Sequence, residues 1–258
     1  MRTNMLNFMR RSAAAVGGAA AAASLCAATS SEASSKRPRV LITGFHDWRE
    51  LDGNIWRCRD NPSCRLLLGS QCPSPPIVRD GPLPRALRAS VPADFSFVTL
   101  PVIWGTAAGL DLGSFDVVIH LGLGVYDRHD TILLENDAYN MRRGPDALAQ
   151  APPGHTLECG SAQVQPASSG MSARYSALQA SASAPLAGDF VLALAPARSE
   201  NSYICNETHW RALKAQHAQT GRLSSAYFVH LPYSKDDDHQ ALAAAVADVI
   251  RRIVALEV

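Results

Sequence analysis

Three things are scarce in this chain of 258 residues: charge, aromatic side chains and long uninterrupted apolar runs. Charged side chains make up 18% and aromatics 7%, with a formal net charge of +1. No Lys/Arg cluster is interleaved with aromatics, so the electrostatic footprint of a nucleic-acid surface is missing and polyanion binding is not expected. Nothing in the composition points to a fibre, a repeat array or a wholly disordered chain. The apolar stretch Ala13–Leu25 is too short and too rich in alanine to span a membrane. Asp236-Asp237-Asp238-His239 has the residue types of a metal site, but adjacent aspartates ahead of a helix cap its N-terminus, and no metal is assigned. What is present is apolar bulk: 47% hydrophobic residues, enough to bury one sizeable core.

The N-terminus has the order of an export signal. Arg2, Arg10 and Arg11 precede Ala13–Leu25, and the small residues Cys26-Ala27-Ala28 follow, with a peptidase site near Ala28. Residues 1–28 are therefore expected to be a signal peptide, residues 29–38 a flexible leader, and residues 39–258 a single domain, periplasmic or secreted, with no membrane attachment after processing. Losing the signal removes three arginines and no acids, so 21 basic side chains face 23 acidic ones and the mature protein is slightly acidic.

Beyond the leader, β-prone runs occur at Arg39–Ile42, Phe95–Leu100, Asp116–Leu121, Phe190–Leu194 and Ala226–Leu231. Most are nearly continuous in apolar residues, as strands covered on both faces of a mostly parallel sheet are. Helical spacing is expected over Pro62–Leu68, Leu83–Ala89, Asn206–Gln219 and His239–Leu256, the last carrying Leu242, Val246, Val249, Ile250, Ile253 and Leu256 on one face. Alternating strands and helices predict an α/β domain, a three-layer α/β/α sandwich around a mostly parallel, mixed sheet. Residues 144–189, crowded with Ala, Ser, Gly, Pro and Gln, break this rhythm and are read as a long loop over a site.

Three residues that could do chemistry lie where apolar runs end: Glu135 after Ile132-Leu133-Leu134, Cys205 after Tyr203-Ile204, and His230 within Tyr227–Tyr233. Strand ends of open α/β sheets are where ligands bind. A thiol needs a general base to become a nucleophile near neutral pH, and an imidazole needs a carboxylate to fix its tautomer; Cys, His and Glu supply those roles. Taken singly, each has an ordinary reading, as a small buried hydrophobe, a core histidine or a surface charge.

At these residues the chain resembles the pyroglutamyl-peptidase I family of cysteine peptidases. That family opens with a strand and T-G-F-x-P-F, then N-P-S at a helix start; here stand Thr43-Gly44-Phe45-His46-Asp47-Trp48 and Asn61-Pro62-Ser63. Its nucleophile segment is matched by Tyr203-Ile204-Cys205-Asn206 and its histidine segment by Phe228-Val229-His230-Leu231-Pro232. Its E-x-x-A-x-N, eleven residues after a glycine, is matched by Glu135, Ala138, Asn140 and Gly124. The segments occur in family order from about residue 39 to the C-terminus. The resemblance implies a Cys205, His230, Glu135 triad working without a cofactor and a peptide substrate with a blocked, pyroglutamyl N-terminus. The implied substrate-binding residues are Phe45, Trp48, Tyr203 and Ile204, with Asn61 beside them. Departures fall on the pocket: Arg49-Glu50 replaces the family's Gly-Gly, an insertion containing Trp56 and Cys58 lengthens the path to Asn61, and Ser199-Glu200-Asn201 replaces D-A-G. Two other readings remain, an exported cysteine amidase or acyl hydrolase for a different small acyl group, and a non-catalytic relative that binds a small ligand. A homo-oligomer is compatible with all of them.

Six cysteines are present, and removal of the signal takes Cys26. In an oxidising compartment four of the remaining five, Cys58, Cys64, Cys72 and Cys159, are expected to pair and leave Cys205 as the free thiol. Three pairings are open; Cys58–Cys64 with Cys72–Cys159 keeps the first bridge local.

Overall fold

The apolar runs at Arg39–Phe45, Thr131–Glu135 and Ser225–Pro232 are buried at nearly every position, and their alternate side chains pack on opposite faces of one sheet. A computed structural model describes residues 37–49, 55–69, 81–125, 127–233 and 239–257. The expected signal over residues 1–28, residues 29–36 of the leader, Cys72 and Asp236–Asp238 lie outside the described residues. In chain order the elements are β1 (Arg39–Phe45), β2 (Trp48–Arg49), β3 (Ile55–Trp56), α1 (Pro62–Leu68), α2 (Pro82–Ser90), β4 (Asp94–Leu100), β5 (Val117–Val125), β6 (Thr131–Glu135), β7 (Asp137–Tyr139), β8 (Val164–Pro166), α3 (Ser169–Ser181), β9 (Val191–Ala195), α4 (Ile204–His217), β10 (Ser225–Pro232) and α5 (His239–Ala255).

Six strands form the central sheet in the order β4-β1-β5-β10-β6-β9. Pairing is parallel throughout except between β10 and β6, so the sheet is mixed and mostly parallel, as expected. On one face Val40, Ile42, Ile119, Ile132, Leu134, Val229 and Leu231 pack against α1, α2, α3 and α5 through Leu67, Leu87, Met171, Val246 and Ile250. Full burial of such side chains contributes about 1.5–3 kcal/mol each. The other face carries Leu41, Val118 and Ala226 against Ala212 of α4, and Phe45, Leu100 and Phe228 against Ile204 at the start of α4.

Two sequence segments take their form from close approach. In Thr43-Gly44-Phe45, a Cβ on Gly44 would run into the Ser63 carbonyl oxygen and the Leu67 side chain. Glycine there lets α1 start directly against β1, where the Ser63 hydroxyl accepts from the Phe45 N–H at 3.1 Å. Asn61 caps α1 by accepting from the Ser63 N–H at 3.1 Å, with Pro62 supplying the first-turn geometry.

Two expectations are corrected. The stretch 144–189 is not loop throughout: it contains β8 and the 13-residue α3, whose Met171, Tyr175 and Leu178 point into the core at helical spacing. Three apolar residues in a run of Ala and Ser are too few to announce a helix, but good helix formers and the Ser168 cap, accepting from the Met171 N–H at 3.3 Å, are enough to make one. Cys205 does not follow a strand end directly. Strand β9 stops at Ala195, a 3₁₀ turn spans Ser199–Asn201, and Tyr203 is the extended residue that starts α4, so the thiol sits in the helix's first turn.

Candidate active site

The antiparallel register of β10 and β6 builds the core of the site. Phe228 lies opposite Glu135, which puts His230, two residues on, on the same face and in diagonal reach of the carboxylate. The His230 Nδ1 and Glu135 Oε1 atoms are 3.1 Å apart, both side chains almost wholly buried. Glu135 is braced from behind by α3, where the Tyr175 hydroxyl donates to the Glu135 carbonyl at 2.9 Å. On the neighbouring β5, glycines make room: a Cβ on Gly124 would enter the His230 ring, and one on Gly122 would press on Phe228 and on the Cys205 sulfur. The Cys205 side chain reaches in from the first turn of α4 to the cavity that His230 also lines. Structure thus brings Cys205 and His230 to one cavity, with Glu135 against the histidine.

Three buried histidines share this face of the sheet, and their charges differ. Burial pushes His120 down to about 3, the nearby His209 adding to the effect, and burial pushes His209 down to about 4. His120 instead pairs its Nδ1 with the Thr43 hydroxyl at 2.7 Å. Burial would lower His230 as well, but the Glu135 carboxylate and the hydrogen bonds to Cys205 and Glu135 outweigh it and hold His230 up at about 10. Burial likewise works to raise Glu135, and the charge and hydrogen bond of His230 overcome it, keeping the carboxyl below its ordinary value. The pair is an imidazolium and a carboxylate, each ionised because of the other.

A cavity of about 480 Å³ opens over the thiol. Phe45, Trp48, Asn61, Tyr203, Ile204, Cys205 and His230 all line it, and Glu135 stands behind the histidine. Trp48 and Trp104 both meet the Tyr203 ring, at 6.5 and 5.5 Å between centroids. Ile204 is buried, forming the floor of the wall. Asn61 reaches the lining, but its amide is spent: Nδ2 donates to the Phe45 and His46 carbonyls at 3.1 Å, and Oδ1 accepts from Ser63. Its part is to fix the end of β1 against α1.

Sequence reading missed several residues. Val102, Leu123, Asp127 and Arg198 also line the cavity, beside Glu200 and Asn201 of the segment already read as a departure at the pocket. Asn206 stitches α4 to the segment after β6, accepting from the Tyr139 N–H at 2.7 Å and donating to the Tyr139 and Met141 carbonyls. Buried Glu207 accepts from Arg142, Arg211 and the Gly105 N–H at 2.9–3.0 Å, which ties two loops to the helix that bears the thiol. Its carboxyl is held low: burial works to raise it, and the Gly105 N–H and the two guanidiniums prevail. The i,i+4 spacing of Glu207 and Arg211 was a legible signal for part of this cluster. In the matched E-x-x-A-x-N segment, Ala138 packs with Trp210 and Leu213, and Asn140 exchanges hydrogen bonds with the Glu158 backbone at 2.8 Å.

Among the four cysteines expected to pair, Cys58 and Cys64 form a disulfide. Cys159 is instead a free thiol, exposed on the irregular segment between β7 and β8, which corrects its assignment as a disulfide residue. Its surface position gives it no described thiol to meet. Cys205 is free and half-buried at the cavity.

No protein-family model matches the chain, and no curated protein shows a significant match. Solved structures do. Pyroglutamyl peptidase I of Bacillus amyloliquefaciens is 17% identical over 85% of this chain and 98% of its own, with a TM-score of 0.58. A mutant pyrrolidone carboxyl peptidase of the hyperthermophile Pyrococcus furiosus is 16% identical over 84% of this chain and 97% of its own, with a TM-score of 0.54. Over about 85% of its length, this chain has the fold of the pyroglutamyl peptidase I structures.

Proposed function

We propose that the protein is a thiol peptidase that removes an N-terminal pyroglutamyl residue from peptides. The observation that carries this reading is the buried His230–Glu135 pair, 3.1 Å apart, with His230 and a free thiol lining the same aromatic-walled cavity. In this scheme imidazolium and the positive end of α4 favour the Cys205 thiolate, which attacks the lactam residue's exocyclic carbonyl. Negative charge develops on that oxygen beside the first turn of α4, where backbone N–H groups lack side-chain caps. His230 gives its proton to the departing amine, then takes one from the water that hydrolyses the acyl-enzyme, while Glu135 holds the ring. An uncharged lactam suits recognition by the Phe45, Trp48 and Tyr203 rings. The Cys58–Cys64 disulfide supports export into an oxidising compartment, as the first 28 residues suggest.

A second reading keeps the chemistry and changes the acyl group. It draws on Arg198, Glu200 and Asp127 at the cavity, charged groups that a bare lactam does not need. Hydrolysis of a pyroglutamyl reporter beside prolyl and glutamyl reporters separates the two. Cleavage of the pyroglutamyl reporter, lost in Cys205→Ala, is the expected result; Cys205-dependent cleavage of another acyl reporter alone would favour the second, and no Cys205-dependent hydrolysis would end both.

A further inference from the structure

A second cluster of reactive side chains lies around the start of α1. Cys58, just ahead of α1, and Cys64, in its first turn, meet as a disulfide with a Cα separation of 5.2 Å. Both are buried and pack on Leu68. His46, at the end of β1 and one-third exposed, offers a ring nitrogen to the same point: the His46 nitrogen and the two sulfurs all lie within 4.8 Å of one another. Asp47 surrounds the group from the backbone side. Its Oδ1 accepts from the Cys58 N–H at 2.7 Å and lies 3.4 Å from the His46 Nδ1. Nothing in the spacing of these residues resembles a metal-binding motif; the grouping arises because Asn61 pins His46 to the start of α1.

We propose that Cys58, Cys64 and His46 form a zinc-type metal site when the disulfide is reduced, so that one cluster crosslinks this wall covalently under oxidising conditions and through a metal ion under reducing ones. Two thiolates and an imidazole are the donor set that selects Zn²⁺ among common divalent ions, with water left for the fourth position. The chemistry balances. A dithiol reductant gives two electrons and two protons and leaves as its own disulfide; the Cys58–Cys64 bond breaks and each sulfur becomes a thiol. An incoming Zn²⁺ displaces both thiol protons, forms two metal–sulfur bonds and takes the lone pair of His46. The Asp47 carboxylate is placed to hold the imidazole's orientation, as acceptors beside metal-bound histidines do. Both states fasten the residues ahead of α1 to its first turn, two residues past Trp56, which pairs across the β2–β3 ladder with the pocket residue Trp48.

The test uses the full chain, reduced anaerobically with a phosphine, whose oxidation by the disulfide and water yields the same two thiols, and titrated with Co²⁺ followed by Zn²⁺. The expected result is one equivalent of Co²⁺ per chain, with thiolate-to-metal charge-transfer absorption and the visible bands of a tetrahedral ion, displaced by Zn²⁺. Unreduced protein should give no such bands, nor should reduced Cys58→Ser/Cys64→Ser protein, in which all other thiols remain. His46→Ala, which keeps both sulfurs and hence the oxidised crosslink, should bind Co²⁺ about tenfold or more weakly. Absence of the bands in reduced wild-type protein, their persistence in the double variant, or unchanged affinity in His46→Ala would each overturn the assignment.

Discussion

The two faces of the central sheet are built from the same strands, one residue apart. Leu134 and Val229 point into the aliphatic layer under α1, α2, α3 and α5, whereas Glu135 and His230 point toward α4. On the first face the packing is chiefly aliphatic and interchangeable in kind. Thr43, His120, His230 and Glu135 on the second are polar and buried, and each needs a specific partner to offset its desolvation. Three histidines on or against that face show how sharp the difference is: Glu135 favours the charged form of both His230 and His209, but outweighs burial only at His230, whose ring it meets at 3.1 Å. Burial drives a histidine neutral unless a close, hydrogen-bonded carboxylate outweighs it.

The largest expected effect breaks the charged face at its centre. His230→Ala should lower turnover of the pyroglutamyl reporter by about 10⁴-fold and slow iodoacetamide alkylation of Cys205. A variant that retained wild-type rates would remove the histidine from the chemistry. Next comes Glu135→Gln, which keeps shape and removes charge, and should cost about 10³-fold in kcat. It also has a pH signature. Folded His230 stays protonated up to about pH 10, whereas in the unfolded chain it titrates near 6.5, so its contribution to stability is complete below 6.5 and is lost as pH rises toward 10. Glu135 works in the opposite sense, its contribution being present above its ordinary value of 4.5 and lost as pH falls through its depressed folded value. Denaturant melts of Glu135→Gln across pH 6–10 should lack most of the wild-type decline.

Leu134→Ala tests the aliphatic face one residue away. It should destabilise by about 2–5 kcal/mol, read from urea melts, while the folded fraction alkylates at Cys205 at the wild-type rate. Altered thiol reactivity there would mean that the two faces are not separable. The smallest effect is expected at the pocket wall: Trp48→Ala should lower kcat/KM by about 1–3 kcal/mol of transition-state binding and leave the melting curve in place.

Much of this architecture was legible beforehand, for a physical reason. Helix α1 begins at Pro62 and ends at Leu68, as its cap, proline and apolar spacing predict. Strand β10 is buried at every position, and its nearly continuous apolar run says as much. Helix α3 was not legible, since its stability rests on three side chains meeting a core that the sequence does not display. Asn61 was legible as a residue of interest but not in its role, because a carboxamide's partners are backbone groups brought up by folding.

Local chemistry alone determined the strand and helix types, the caps and the residues able to act as nucleophile, base and orienting acid, because propensity, turn geometry and functional groups belong to single residues or near neighbours. Tertiary structure decided that Glu135 meets His230 across 95 residues of chain, that His120 and His209 stay neutral beside them, and that His46 joins Cys58 and Cys64. Those outcomes depend on register and desolvation, and both arise only when distant strands pair and exclude water.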